Sequence, residues 1–184
     1  TYLVKLNACE LNEEQSAKIT KYLHSISDFE RISDHAKNIS EAALEIYEKK
    51  ISFAAEARRE MQVLESAVTE ILQLAVSGFI DENIDRAYLV EPLEERIDAL
   101  CDEVKLRHAA RVQNEICSLS DGFVYNDLLT NYERVADHCS NIAIAMIELQ
   151  SNELDAHGYI INLMETRPHN FDEIYAGFCE KYKI

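Results

Sequence analysis

At 184 residues the chain has the length of one domain with a sizeable core, and 47% hydrophobic residues with only four Gly and two Pro exclude a disordered or collagen-like chain. Lys and Arg number 18 against 34 Asp and Glu, and the net charge of −16 argues against nucleic acid and against direct lipid binding at an anionic membrane surface, because phosphates call for clustered cations. Five cysteines at wide spacing, with no CxxC pair, fit reduced thiols rather than a disulfide framework or a zinc site.

Helical periodicity runs through almost the whole chain, and no strand-like alternation interrupts it. The first predicted helix spans about residues 12–50, with Tyr22, Phe29, Ile32, Ala36, Ile39 and Ala43 as its apolar stripe. Ile51-Ser52 breaks it, and Ser52 is the expected N-cap of a second helix carrying Leu64, Val68, Ile71, Leu72 and Ala75. Gly78 is the expected C-cap of that helix. No membrane span is expected, since the longest near-apolar stretch, Ile71 to Ile80, is too short to cross a bilayer. Asp81 is the candidate cap of a third helix, in which Ala87, Val90, Leu93, Ile97, Leu100 and Val104 face inward. Pro92 either kinks that helix or marks a late start. A turn over residues 114–122 leads to a fourth helix with Leu128, Tyr132, Val135, Cys139, Ile142 and Met146 as its stripe. Pro168 closes a loop, and Phe171, Ile174, Tyr175, Phe178 and Tyr182 then outline a short amphipathic helix docked by its aromatic face. The expected fold class is all-α: an antiparallel bundle of about four long helices plus a short C-terminal one.

One ten-residue string occurs twice, 103 positions apart. Glu30-Arg-Ile-Ser-Asp34-His35-Ala-Lys-Asn38-Ile39 matches Glu133-Arg-Val-Ala-Asp137-His138-Cys-Ser-Asn141-Ile142 at six of ten positions. A buried helix needs only apolar residues at the right period, whereas Glu, Asp and Asn at i, i+4 and i+8 lay oxygen ligands along one surface. Glu30 and Asp34, like Glu133 and Asp137, lie off their apolar stripes, which places them at the surface or a seam. For a single such pair a solvated face is the ordinary reading; the in-phase duplication turns it toward a hard-cation site. Glu94 and Asp98 repeat the i, i+4 spacing on the third helix, and antiparallel packing would set them against Glu133 and Asp137. Such a site takes a divalent or ferric ion: iron, Mn, Mg, Ca or Zn by oxygen ligation alone. His35 and His138 sit about 100° round the helix from their Asp and read first as interhelical packing residues. Arg31 and Arg134 stand beside the acids, placed to orient them. Asn38 and Asn141 either add an oxygen or bond to a neighbouring helix, and the sequence leaves the two readings open.

The strings ERISDHAKNI and ERVADHCSNI resemble the E-R-x-x-D-x-x-x-N signature of the PhoU family of regulators of bacterial phosphate uptake, and Glu94-Glu-Arg-Ile-Asp98-Ala-Leu-Cys-Asp-Glu-Val104 resembles the acidic motif of its preceding helix. The resemblance implies two three-helix repeats with surface metal clusters. Residues 1–50 would then end with the last helix of repeat one, residues 51–150 would form repeat two, and residues 151–184 a tail. The longer context is similar to the PhoU-like cytosolic domain attached to bacterial Na⁺/phosphate cotransporter-like proteins. On that reading the chain, beginning at Thr1, is a piece of a longer membrane protein. It is expected on the cytoplasmic side of the cell membrane, with a transporter domain as partner in cis or trans.

The expectation is therefore a non-enzymatic, metal-binding regulatory domain linked to phosphate transport, the alternative being a free-standing PhoU-type regulator. A metal-dependent enzyme, such as a di-iron oxidase or phosphatase, is the rival from another class. Its Glu-x-x-His motif, nucleophile motif and Gly-rich loop do not occur at the repeats. A homodimer is one way to cover the apolar surface that a lone repeat-one helix leaves.

Overall fold

A computed structural model describes residue 5, residues 11–151 and residues 170–184, and the described residues form helices and connecting turns. The loop placed at Pro168 and the residue Cys9 lie outside them. Four long helices, α1 (Glu13–Lys49), α2 (Ala55–Asp81), α3 (Ile84–Gln113) and α4 (Leu119–Ser151), precede a short α5 (Phe171–Lys181).

The helix ends correct several expectations. Asn12 and Gln15 form a reciprocal capping box that starts α1, and Lys50 ends it in the left-handed conformation. Ser52 does not cap α2: the N-cap position is Ala54, without a side-chain bond. Helix α2 also runs past Gly78 and stops at Glu82, whose left-handed N–H bonds back to the Gly78 carbonyl. Gly78 instead serves a close approach, because a Cβ there would sit 3.4 Å from Arg86 Cβ and 3.5 Å from Met146 Cε. The cap of α3 is Asn83, which accepts from the Arg86 N–H, and not Asp81, which pairs with the Arg86 guanidinium. The helix continues through Pro92, which removes one rung without ending the ladder. Helix α4 begins at Leu119, inside the predicted turn, because the Ser118 hydroxyl accepts from the Asp121 N–H.

Helices α2, α3 and α4 make an up-down-up three-helix bundle. Leu64 and Ile71, Leu93, Ile97 and Leu100, and Leu129 and Ile142 have no solvent exposure at its centre. Helix α2 has the length and apolar content of a membrane-crossing helix, contrary to the sequence expectation. Here it serves as a core helix: Leu64, Ala67, Ile71 and Ala75 are fully buried, while Ser66, Thr69 and Gln73 line an outer polar groove. Helix α1 packs antiparallel on α4, and its Tyr22 and Phe29 rings meet Phe79 of α2 edge-on. With one main neighbour, α1 buries only part of its predicted stripe. Ile32 and Ala42 are buried, whereas Ala36 and Ala43 are exposed. Helix α5 docks by Phe171, Phe178 and Tyr182 as expected. Arg96 of α3 donates to the Tyr182 carbonyl at 2.6 Å, and Lys181 and the Tyr182 hydroxyl both bond Glu70 of α2.

Glu60 falls in the apolar register of α2 and is 3% exposed. Arg111 grips it with two bonds of 3.1 and 2.7 Å, while Arg107 and the Tyr125 hydroxyl complete its shell. Removing one partner of such a buried pair strands the other charge. Glu60→Ala is therefore expected to cost about 3–5 kcal/mol in urea unfolding, and replacing Glu60 and Arg111 together by Leu and Met should recover most of that loss.

Candidate metal site at the helix three–helix four seam

The duplicated motif splits into two halves with different work. On its inner side, His35 Nδ1 and Asn38 Nδ2 both meet Asn131 Oδ1, at 2.9 and 3.1 Å. Reciprocally, His138 Nδ1 and Asn141 Nδ2 meet Asp28 Oδ1, at 2.9 and 3.2 Å. Asp28 and Asn131 are themselves 103 positions apart, so the two copies clamp each other across a local twofold axis. The two imidazoles stack on that axis with ring centroids 5.7 Å apart. Because the Asn131 amide N–H donates to the Asp127 carbonyl, its oxygen is the free acceptor and His35 Nδ1 must carry the hydrogen. Asn38 and Asn141 thus make interhelical bonds through their amide N–H groups. The packing role expected for the two histidines is the one observed.

The outer, acidic half differs between the copies. In the second copy, Asp137 of α4 meets Glu94 and Asp98 of α3, and one carboxylate oxygen from each lies within 4.8 Å of the other two. Glu133, expected as the fourth member, is one turn away and held by Lys105 Nζ at 2.6 Å. Arg134 bonds Asp137 at 3.1 Å, in the orienting place expected of it. In the first copy Glu30, Arg31 and Asp34 are exposed, and no described helix presents acids to them. The structure therefore brings together three of the six expected ligands.

The trio is electrostatically uncomfortable as it stands. Burial, then the charges of Asp98, Glu91 and Asp137, push the Glu94 carboxyl up to about 8. Burial, then Asp137 and Glu133, push Asp98 up to about 6, against the pull of Lys105. One Asp98 oxygen is fully buried without a hydrogen-bond partner. Glu91, half-buried beside the trio, is raised as well by its desolvation, and the Ser140 hydroxyl donates to it. Three converging carboxylates, with one Asp98 oxygen unsatisfied, fit a divalent or ferric cation completed by waters.

Comparison with known proteins places these motifs in context. The PhoU domain family matches residues 2–43 and 62–146. The chain is similar to the phosphate-specific transport system accessory protein PhoU homolog 1 of Thermotoga maritima, with 26% identity over 76% of this chain and 60% of that protein. It is also similar to the phosphate-specific transport system accessory protein PhoU homolog of Streptococcus pneumoniae serotype 4, with 24% identity over 74% of this chain and 62% of that protein. The chain thus spans about three fifths of the curated relatives it matches. No solved structure gives a significant match.

At neutral pH Glu94, raised to about 8, carries a proton that a cation must displace. Its raised carboxyl favours the folded state below the unfolded value of 4.5, and that contribution fades as pH rises through about 8. The expected outcomes are proton release on Mn²⁺ addition at pH 7, read by calorimetry in buffers of different ionisation heat, and affinity that climbs between pH 6 and 8. In the metal-free protein, thermal stability should fall over that same interval.

Proposed function

The chain belongs to the PhoU domain family, and from that membership we propose that it is a metal-binding regulatory module of phosphate transport, without an enzymatic reaction of its own. The observation that carries the reading is the Glu94–Asp98–Asp137 trio, whose raised carboxyls and orphaned oxygen call for a cation at the α3–α4 seam. Iron, Mn, Mg and Zn all suit an oxygen site, with Mn²⁺ and iron matching three carboxylates plus waters well. A bound ion would tie α3 to α4 and alter their relative stability and angle, giving a transporter partner a metal-dependent surface to read.

Of the two settings weighed from sequence, the accessory-protein setting has the support of the relatives' names. Attachment to a Na⁺/phosphate cotransporter-like membrane domain rests on the resemblance of the longer sequence context. Either setting places the module at the cytoplasmic face of the membrane beside a transporter. We also read α1 as the closing helix of a first repeat. Its exposed Ile26 and Leu44 stand 103 positions before Leu129 and Ile147, which are buried in the second repeat. A helix pair of the whole protein, or a second copy of this chain, would cover that face and bring acids to Glu30 and Asp34.

Elemental analysis of tag-free protein prepared without chelators tests the reading. One or more equivalents of metal are expected, lost in a Glu94→Ala/Asp98→Ala variant. Glu133→Ala, which alters only a flanking pair, should weaken binding by about tenfold. Absence of metal both as purified and after adding Mn²⁺ or iron would contradict the proposal.

A further inference from the structure

Lys105 closes one end of the acidic seam. It stands two helical turns beyond Asp98 on α3, about 20° round the helix and roughly 10 Å along it, so the two residues share a face. Its ammonium donates to Glu133 Oε2 of α4 at 2.6 Å and lies 4.0 Å from Asp102 Oδ1. Glu133 stands one turn before Asp137, and its charge acts on Asp98. Its carboxylate therefore lies between the trio and the lysine, within the influence of both. The two side chains are 31% and 34% exposed, so the pair borders the site without being sealed into the core.

On the metal-site reading above, we propose that Lys105 is a positioning residue of that site and a brake on its affinity: by holding Glu133 it keeps a fourth carboxylate from the ion. Among the described residues the bonds of Lys105 go to Glu133 and Asp102 and not to the trio, so it acts through Glu133. No neighbouring cation duplicates the hold. Arg134 bonds Asp137, inside the trio, and Arg107 is engaged by Glu103 and Glu60. The affinity of an oxygen site for a divalent ion follows the number of carboxylates it offers. A seam restricted to three of them, with waters completing the ion, binds more weakly than the four acids on these two helices would allow.

The same bond steadies the protein when no ion is bound. Four carboxylates gathered in a half-buried seam repel one another, and Lys105 takes the charge of one of them. It also accounts for the loss expected of Glu133→Ala. Without its partner the ammonium is left to Asp102 and Asp98, where it opposes an incoming cation.

Calorimetric titration of the full chain with Mn²⁺ tests this. Lys105→Met is expected to bind Mn²⁺ about tenfold tighter than the wild type, whereas Lys105→Arg, which keeps a donor on Glu133, should match the wild type. In a Glu133→Gln background there is no fourth carboxylate to release. There the same Lys105→Met change should gain only about twofold, from the loss of a nearby positive charge. Without metal, Lys105→Met should melt below the wild type at pH 8, and excess Mn²⁺ should reverse that order. An equal gain in both backgrounds, or no gain in either, would overturn the proposal and leave the metal site standing. Failure of all these proteins to bind Mn²⁺ would instead remove the metal-site reading, and the proposal with it.

Discussion

Three carboxylates whose oxygens lie within 4.8 Å of one another in a half-buried seam are the constraint to which the rest of the structure answers. The core enforces their meeting: Leu93, Ile97 and Leu100 on α3 interlock with Leu129 and Ile142 on α4, and the acids lie at the edge of that packing. Like charges at such distances raise one another's proton affinity, and burial raises it further. The fold does not relieve this with a cation inside the trio. It surrounds the trio with partial measures: Lys105 on Glu133, Arg134 on Asp137 and the Ser140 hydroxyl on Glu91. A bound metal ion supplies the missing charge, and the repulsion that destabilises the free site becomes affinity for the ion.

The second organising contact is the reciprocal clamp between α1 and α4. It explains why histidine and asparagine accompany the acids in both copies: both bond across to the opposite helix. Each copy grips the residue two positions before the other's glutamate, so the clamp sets the register of both helices together. One difference breaks the symmetry, since the gripped residue is Asp28 on one side and Asn131 on the other. The α1 copy therefore keeps its structural half intact while its acidic half faces outward.

Period and spacing were enough to read much of this from sequence. The four long helices, the docked aromatic helix and the facing of Glu94/Asp98 toward Asp137 follow from i, i+4 geometry and antiparallel packing. What escaped depended on particular long side chains. The spacing of Glu133 predicts a ligand, but spacing does not show that Lys105, on the facing helix, holds its carboxylate at 2.6 Å. Asn38 and Asn141 have two uses that spacing does not separate, and tertiary contact decided for the neighbouring helix. The N-caps of α2 and α3 fall two residues beyond the expected Ser52 and Asp81, at Ala54 and at Asn83, whose side chain accepts from the Arg86 N–H. Glu60, in register with Ala57, Leu64 and Ala67, is a buried charge whose partners, Arg107, Arg111 and Tyr125, lie too far along the chain for periodicity to name.

Anomalous diffraction from Mn²⁺-soaked crystals tests the central claim most directly. The account predicts an anomalous peak coordinated by oxygens of Glu94, Asp98 and Asp137, with Glu133 remaining on Lys105 or swinging in as a further ligand. Peaks confined to exposed acids elsewhere, or a seam that stays protonated and empty at pH 8 with excess Mn²⁺, would contradict it.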